Sequence, residues 1–145
     1  MLGNLSKQVL HVRWLNTLVT TGVDADNVAS GAIDCAGYDR IMVTLEVGAT
    51  AGNTGTLKFF LTDCDTAAGD FAAMTGATIG THTFGASGEA KKTHIIDTKL
   101  SKRYLKINYQ REGQNTTIDG GVYMLYNAKQ VPITADASVK KLVVV

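Results

Sequence analysis

The 145-residue sequence predicts an all-β fold, a jelly roll or β-sandwich of antiparallel strands in a single domain. The first reason is that many short segments alternate apolar and polar residues with a period of two, the pattern of a strand with one buried face. The second is composition, because fifteen glycines, one proline and frequent threonine favour turns and β-branched strand positions. The third is that no convincing helix is found: the best helical candidate, residues 66–75, contains Gly69 and several small alanines.

The strands of the first half are predicted from their apolar periodicity and their flanking turns. In RIMVTLEVG, Ile41 and Val43 lie on the face opposite Met42, and GTLKFFLTD alternates in the same way. In chain order, the predicted strands are residues 8–14, 16–21, 28–34, 40–48, 55–63 and 71–75. Glycine-rich segments follow two of these strands, and we expect residues 48–55 and 78–90 to be flexible.

The second half predicts four more strands, at residues 91–97, 100–110, 120–128 and 139–145. In LSKRYLKINYQ, Leu105, Ile107 and Tyr109 share one face, and the lysines fall on the other. A half-buried antiparallel strand has this pattern, so the lysines are interpreted as its solvated face. Residues 113–121 are expected to be flexible, and Asp119-Gly120-Gly121 indicates a turn or bulge before the strand at Val122.

The charge balance disfavours nucleic acid as a partner. Fourteen basic residues against thirteen acidic ones give a net charge of +1, whereas a nucleic-acid module usually has a clear basic excess. The N-terminal residues do not have the pattern expected of a secretory signal, and no apolar run is long enough to predict a membrane span. We therefore expect no membrane partner, folding in a reducing cytoplasm, and free thiols at Cys35 and Cys64 rather than a disulfide.

No catalytic, metal-binding or cofactor-binding residue is predicted. Asp63, Asp65 and Asp70 cluster in DCDTAAGD, but the spacing fails the EF-hand pattern, so a polar turn is the favoured interpretation. None of the three histidines lies at short ligand spacing from another histidine or from a cysteine. In GASGE, Ser87 lacks the full spacing of a nucleophile elbow.

Two features indicate surfaces that contact another molecule. The C-terminal VKKLVVV is an apolar β-branched strand that needs cover, either in the chain's own sheet or by addition to a neighbouring chain's sheet. Aromatic side chains could line a sugar-binding face, although core packing is their more frequent fate; they are Trp14, Tyr104, Tyr109, Tyr123 and Tyr126. The candidate assembly contacts are Trp14, Leu142, Val143, Val144 and Val145, with residues 78–90 as a weaker candidate.

Four short motifs follow one another in a recognisable order. They are AGYD at residues 36–39, a glycine-rich loop at 48–55, an acidic D…G.F turn at 65–71 and SKRYLKI at 101–107. This order resembles that of the small capsid decoration, or cement, proteins of tailed bacteriophages. The resemblance covers residues 30–128, and it leaves out residues 1–29 and the tail at 139–145.

The resemblance implies a jelly-roll or β-sandwich subunit without an active site. Such a subunit binds the outside of a phage head, bridges neighbouring major capsid protein subunits and stabilises the shell. It also implies self-association as a homodimer or homotrimer, and a location on the capsid exterior after assembly in the host cytoplasm. Segment 1–29 and strand 139–145 are expected to contribute assembly contacts. The alternative function is a glycan-binding β-sandwich module of a phage tail or fibre; a hydrolytic enzyme and a nucleic-acid binder rank below it.

Overall fold

The computed structural model describes residues 10–15, 26–50, 56–83, 92–112 and 116–128. These residues form nine β-strands and no helix, so the all-β prediction is confirmed for this part of the chain. The strands are β1 (Leu10–Leu15), β2 (Asp26–Ala29), β3 (Ile33–Asp34), β4 (Tyr38–Thr50), β5 (Thr56–Cys64), β6 (Ala72–Thr83), β7 (Thr93–Lys99), β8 (Tyr104–Glu112) and β9 (Thr116–Ala128). A search of the same residues finds no helix long and apolar enough to cross a membrane.

The strands form two antiparallel sheets that pack face to face. Sheet A has the order β1-β9-β4-β7, and sheet B has the order β2-β8-β5-β6, with β3 also paired to β8. The chain passes repeatedly from one sheet to the other, and this order is that of a jelly roll. The predicted fold class, a jelly-roll β-sandwich, is therefore confirmed.

The core fills the space between the sheets, and its residues lie on the faces that the period of two predicts. In β4, Ile41, Val43 and Leu45 are completely buried. The inward residues of β5 and β8 are also completely buried or nearly so; they are Leu57, Phe59, Leu61, Leu105, Ile107 and Tyr109. Full burial of one such side chain contributes about 1.5–3 kcal/mol, so each of these residues stabilises the sandwich substantially.

The predicted strand 28–34 is interrupted in the structure. The Ser30 N–H donates to Ile107 O at 2.8 Å, and the Ser30 hydroxyl accepts from the Ile107 N–H at 2.9 Å. The serine side chain thus takes a place that a backbone carbonyl would hold in a continuous ladder. The strand divides into β2 and β3, and both pieces pair with β8.

Three segments predicted to be flexible are partly strands, and in the first of them residues 48–50 form the end of β4. Residues 78–83 continue β6 because they pair with β5, where Thr78 lies opposite Phe60. Residues 116–121 belong to β9, and the helical candidate 66–75 is a turn followed by the start of β6. Glycine and threonine content indicated loops here, but pairing with a neighbouring strand outweighed local propensity. The predicted strands 16–21 and 139–145, and the loop residues 51–55, 84–90 and 113–115, lie outside the described residues.

Trp14 lies at a β-bulge in β1. Arg13 is opposite Val122 of β9, and Leu15 is opposite Gly121, so Trp14 is the extra residue of β1 at this point. A bulge of this kind bends its strand and changes the direction of a side chain. The bulge predicted around Asp119 is also present: the register of β4 with β9 shifts between the pairs at Gly120 and at Ile118.

The indole ring of Trp14 connects the two sheets. It stacks on Phe59 of β5, with ring centroids 6.5 Å apart and planes 7° apart, and it meets Tyr109 of β8 at 6.2 Å and 59°. Its Nε1–H donates to the backbone carbonyl of Thr44 in β4 at 3.1 Å. Aromatic pairs of this geometry contribute about 0.5–1.5 kcal/mol each beyond the area they bury, so Trp14 binds strands of both sheets to each other.

This arrangement depends on the absence of a side chain at Gly121. To reach Thr44, the indole crosses β9 directly over Gly121. A Cβ atom at that position would lie 2.3 Å from Nε1 and 2.5 Å from Cε2 of Trp14, far inside van der Waals contact. Gly121 therefore permits the contact between the sheets, rather than serving the turn that its sequence context suggested.

We expect Gly121→Ala to destabilise the fold by about 1–3 kcal/mol, the usual cost of overpacking a filled interior. The control is Gly31→Ala, because a Cβ at Gly31 meets no atom within 4 Å. Urea unfolding followed by the fluorescence of the single tryptophan measures both variants. Equal unfolding midpoints for the two variants would show that the indole does not need the space over Gly121.

Candidate functional site

Three of the four motifs meet at one end of the sandwich. The register places Tyr104 of β8 opposite Asp34 of β3 on one side and opposite Cys64 of β5 on the other. The turn at 35–37, the loop at 65–71 and the connection at 100–103 are therefore neighbours. We call these segments and the strand residues that join them the motif end. The fourth motif, residues 48–55, begins at the opposite end of β4 and is described only as far as residue 50.

The AGYD motif forms the turn between β3 and β4. The Tyr38 N–H donates to Cys35 O at 3.2 Å, and Gly37 has a φ of 88°. This is the position of a type II turn that requires a positive φ, which explains the glycine. The backbone of Asp39 then accepts a hydrogen bond from the Leu100 N–H at 2.8 Å, which attaches the AGYD segment to the connection before β8.

An ion pair between Asp34 and Arg103 makes a second link between the same segments. Nε and one terminal nitrogen of Arg103 donate to the two carboxylate oxygens of Asp34 at 3.0 and 2.8 Å, and Cys35 N–H donates to Arg103 O at 2.8 Å. The hydrogen bond from Arg103 holds the pKa of Asp34 below its ordinary value. A bidentate pair fixes orientation as well as distance, so it sets the position of the connection relative to the turn.

Asp63 links the connection to the acidic turn. Its side chain is 8% exposed, it accepts a hydrogen bond from the Ser101 hydroxyl, and Lys102 Nζ lies 3.7 Å away. A carboxylate so well buried needs such partners, because an uncompensated charge in this position is costly. The turn itself closes tightly: a Cβ at Gly69 would lie 2.5 Å from Cys64 Sγ.

The outer face of sheet B beside the motif end combines cations with aromatic rings. Lys106 Nζ lies 4.2 Å from the centroid of the Phe71 ring, and Lys58 Nζ lies 4.9 Å from that of Phe60. Tyr104 lies on the same face of β8, with the Arg103 guanidinium 5.0 Å from its ring. We call Lys58, Phe60, Phe71, Tyr104 and Lys106 the basic–aromatic face. The Lys106–Phe71 contact joins the SKRYLKI strand to the last residue of the acidic turn.

The outer face of sheet A has a different character. Arg40 Nε donates to Tyr126 Oη at 2.7 Å, its terminal nitrogen pairs with Asp97 at 2.9 Å, and the Tyr126 hydroxyl also donates to Asp97. The hydrogen bonds that Asp97 accepts hold its pKa below the ordinary value; the bond from Tyr126 has the larger effect and that from Arg40 the smaller one. Ile95 nearby is an exposed large apolar side chain. On this face, Arg40 of β4 and Asp97 of β7 are paired with each other, and both bond to Tyr126 of β9.

The structure separates the aromatic residues that were considered as a sugar-binding platform. Tyr109 and Tyr123 are buried in the core, and Trp14 lies between the sheets. Tyr104 and Tyr126 lie on the outer faces of opposite sheets. The five rings therefore do not form a common surface, because strand alternation and sheet assignment direct them to different layers.

The predicted assembly residues are only partly described. Trp14 is half-buried, and its assembly role stays a prediction beside the structural role seen here. The other four predicted contacts, Leu142, Val143, Val144 and Val145, lie outside the described residues. Residues 78–83 of the weaker candidate segment are strand, and residues 84–90 are not described.

The acidic cluster and the cysteines also have defined positions. Asp65 and Asp70 are exposed in the turn, whereas Asp63 faces Ser101. Within the described ranges, no group of three or more His, Cys, Asp or Glu side chains could hold a metal ion. Cys35 and Cys64 are buried and free, and burial raises the pKa of the Cys35 thiol to about 12.

Sequence reasoning did not find the contacts that define the motif end and the basic–aromatic face. Alternation alone places Lys58 and Phe60 on one side of β5, and Tyr104 and Lys106 on one side of β8. The approach of Phe71 to Lys106 depends on the path of the turn, which the sequence does not display.

Comparison with known proteins leaves the family open. No family model matches the sequence, and no curated protein matches it. Among solved structures, the chain is similar to a structure described as "Structure of Eiger TNF from S. frugiperda", with 6% sequence identity and a TM-score of 0.40. That match covers 89% of this chain and 99% of the other. The fold assignment given above rests on the chain's own strand order and register.

We expect the Asp34–Arg103 pair to make a small, pH-dependent contribution to stability. Because the folded pKa of Asp34 is below the unfolded value near 3.8, this contribution is present above that value and is lost as the pH falls through the lowered pKa. The stability of Asp34→Asn should therefore lie below that of the wild type near neutrality and converge with it in acid. Asp65→Asn, on an exposed residue of the neighbouring turn, is the control and should follow the wild type.

Urea unfolding at a series of pH values measures this difference. The effect near neutrality should be small, since both partners are substantially exposed and solvent screens them. A constant offset between Asp34→Asn and the wild type, down to pH values below both pKa values, would contradict the assignment of the pKa shift to this pair.

Proposed function

We propose that this chain is a capsid decoration protein of a tailed bacteriophage, which binds the outside of the head, bridges major capsid protein subunits and stabilises the shell. The observation that supports the proposal best is the convergence of three separate motifs at the motif end. They are held together by Asp34 with Arg103, Asp63 with Ser101, and Leu100 with Asp39. Motifs that are short and scattered in sequence thus act as one structural unit.

The architecture also fits a protein that bridges neighbouring shell subunits and holds them together. A jelly roll whose sheets are linked by Trp14 through stacking and a hydrogen bond is a stiff body. A stiff body that contacts two shell subunits makes the second contact intramolecular, so weak individual contacts add up to strong attachment. The attached protein then stabilises the assembled shell, because a ligand stabilises the state to which it binds. In this proposal the chain has no catalytic role and no cofactor, and its surfaces are its functional sites.

The proposal predicts that the purified chain binds expanded, empty heads assembled from the major capsid protein of the same genome. Sedimentation of the heads with increasing amounts of the chain should show saturation at a stoichiometry set by the shell's symmetry. The heads should also withstand a higher temperature once saturated. A chain shortened after residue 138 measures what the predicted contacts at 139–145 contribute to occupancy.

Two results would contradict the proposal. One is a chain that stays in the supernatant at every concentration while the heads remain intact. The other is binding that leaves the heat resistance of the heads unchanged. In either case a glycan array becomes the next experiment, since specific glycan binding would favour the alternative function as a module of a tail or fibre.

A further inference from the structure

The basic–aromatic face has a local positive charge that the chain as a whole lacks. The net charge of the sequence is only +1. On the outward positions of β5 and β8, the charged residues are Lys58 and Lys106, together with Glu112 at the last position of β8, which pairs with Thr56. The basic–aromatic face, which does not extend to Glu112, therefore carries two positive charges on a nearly neutral protein.

The two lysines of this face differ from the other cations near the motif end. Arg103 is paired with Asp34, and Lys102 lies near Asp63. Within the described residues, no carboxylate lies within 4.0 Å of either Lys58 or Lys106. Both ammonium groups lie over aromatic rings instead, an arrangement that orders them and leaves their charge available to a partner.

The two outer faces of the sandwich therefore differ in the charges that they present to a partner. On sheet A, Arg40, Asp97 and Tyr126 satisfy one another, so their charges are already compensated. On sheet B, the two lysines lie over aromatic rings along β5 and β8, and no carboxylate of the described residues lies within 4.0 Å of either ammonium group. Interfaces between proteins are enriched in aromatic residues, and charge complementarity determines which partner surface fits.

We infer that the basic–aromatic face is the surface by which the chain docks on a carboxylate-bearing protein surface. This inference rests on the proposed function and adds to it the docking face and the chemistry of its partner. Carboxylates of the partner pair with the ammonium groups of Lys58 and Lys106, while the rings of Phe60, Phe71 and Tyr104 cover apolar contacts between them. The partner surface is acidic, with apolar patches.

A protein surface fits this face better than a nucleic acid does. Strong electrostatic binding of a nucleic acid uses many phosphate contacts, on the order of 6–10 in typical complexes. Among the described residues, this face supplies two cations that have no carboxylate within 4.0 Å, Lys58 and Lys106. A protein interface, in contrast, can depend on a few central residues, and a pair of ordered lysines among rings meets that need.

The test measures the binding of charge-reversal variants of the full chain to the same expanded heads. Lys58→Glu and Lys106→Glu should each weaken binding roughly tenfold or more, because each replaces an attraction by a repulsion. Lys99→Glu is the matched control: it makes the same charge change at an exposed position on the outer face of sheet A, and its binding should equal that of the wild type. Binding of the wild type should also weaken as salt is raised.

A fold control accompanies the binding measurement. The urea midpoints of all variants are compared, and Lys106→Met replaces Lys106→Glu if the latter is unfolded, because methionine keeps an aliphatic side chain over Phe71 and removes the charge. Equal binding by the wild type and all variants would overturn the inference while the proposed function stands. Equal weakening by Lys99→Glu and the sheet B variants would overturn it as well, since it would show a response to net charge alone.

A second measurement separates failure of the inference from failure of the proposed function. If the wild type does not bind heads at all, the proposed function fails, and nuclear magnetic resonance titrations with poly-L-glutamate and with the oligonucleotide dT30 decide the inference. Shifts with poly-L-glutamate confined to residues 58–60, 71 and 104–106 would support a carboxylate-binding face. Shifts spread over both sheets, no shifts, or tighter binding of dT30 would overturn it.

Discussion

The packing of Trp14 over Gly121 is the constraint on which the rest of the described structure depends. The indole leaves β1 at a bulge, crosses β9 where no side chain stands, and reaches the backbone of Thr44 in β4. On its other side it contacts rings of β5 and β8. One side chain thus joins three strands of sheet A to the two central strands of sheet B, and it fixes where β8 lies relative to the opposite sheet.

Strand β8 transmits that constraint to the surface. Its inward residues Leu105, Ile107 and Tyr109 are completely buried, so the outward residues Tyr104 and Lys106 are held on a rigid support. The segment before β8 makes the contacts that close the motif end. The stretch LSKRYLKINYQ is therefore a half-buried strand, as its alternation predicts, and the ammonium group of its outward Lys106 lies over the ring of Phe71. Alternate residues of this strand therefore pack in the core and, in the proposed docking, face the partner.

The sequence predicted the layers of this fold better than its connections. Alternation identified the inward faces of β4, β5 and β8, because a period of two directly reports which side is buried. The strand β8 also continues past its predicted end at residue 110 to Glu112, and Arg111 in this extension is buried, with 2% exposure. A hydrophobic pattern alone would not have placed a guanidinium there. The length of β6 was missed, because its pairing with β5 is a tertiary effect.

The candidate site, too, was predictable from the sequence only in part. The turn at Gly37 could be read from AGYD, since glycine supplies the positive φ that the turn needs. The contact of Phe71 with Lys106 and the passage of the indole over Gly121 could not be read, because each brings together residues from distant parts of the chain. Sequence context assigned Gly121 to a bulge, whereas its main effect is to make room for an aromatic ring. Such roles become visible only when the opposite surface is known.

Hydrogen exchange at the indole N–H of Trp14 tests the central constraint most directly, since the chain has a single tryptophan and therefore a single indole resonance. If Nε1–H is held by Thr44 O between the sheets, it should exchange only when the sandwich opens. Exchange should then be slower than in the urea-unfolded chain by roughly three orders of magnitude or more, which corresponds to an opening free energy near that of global unfolding. Exchange at the rate of the unfolded chain would contradict the account, because the indole would then not bridge the sheets in solution.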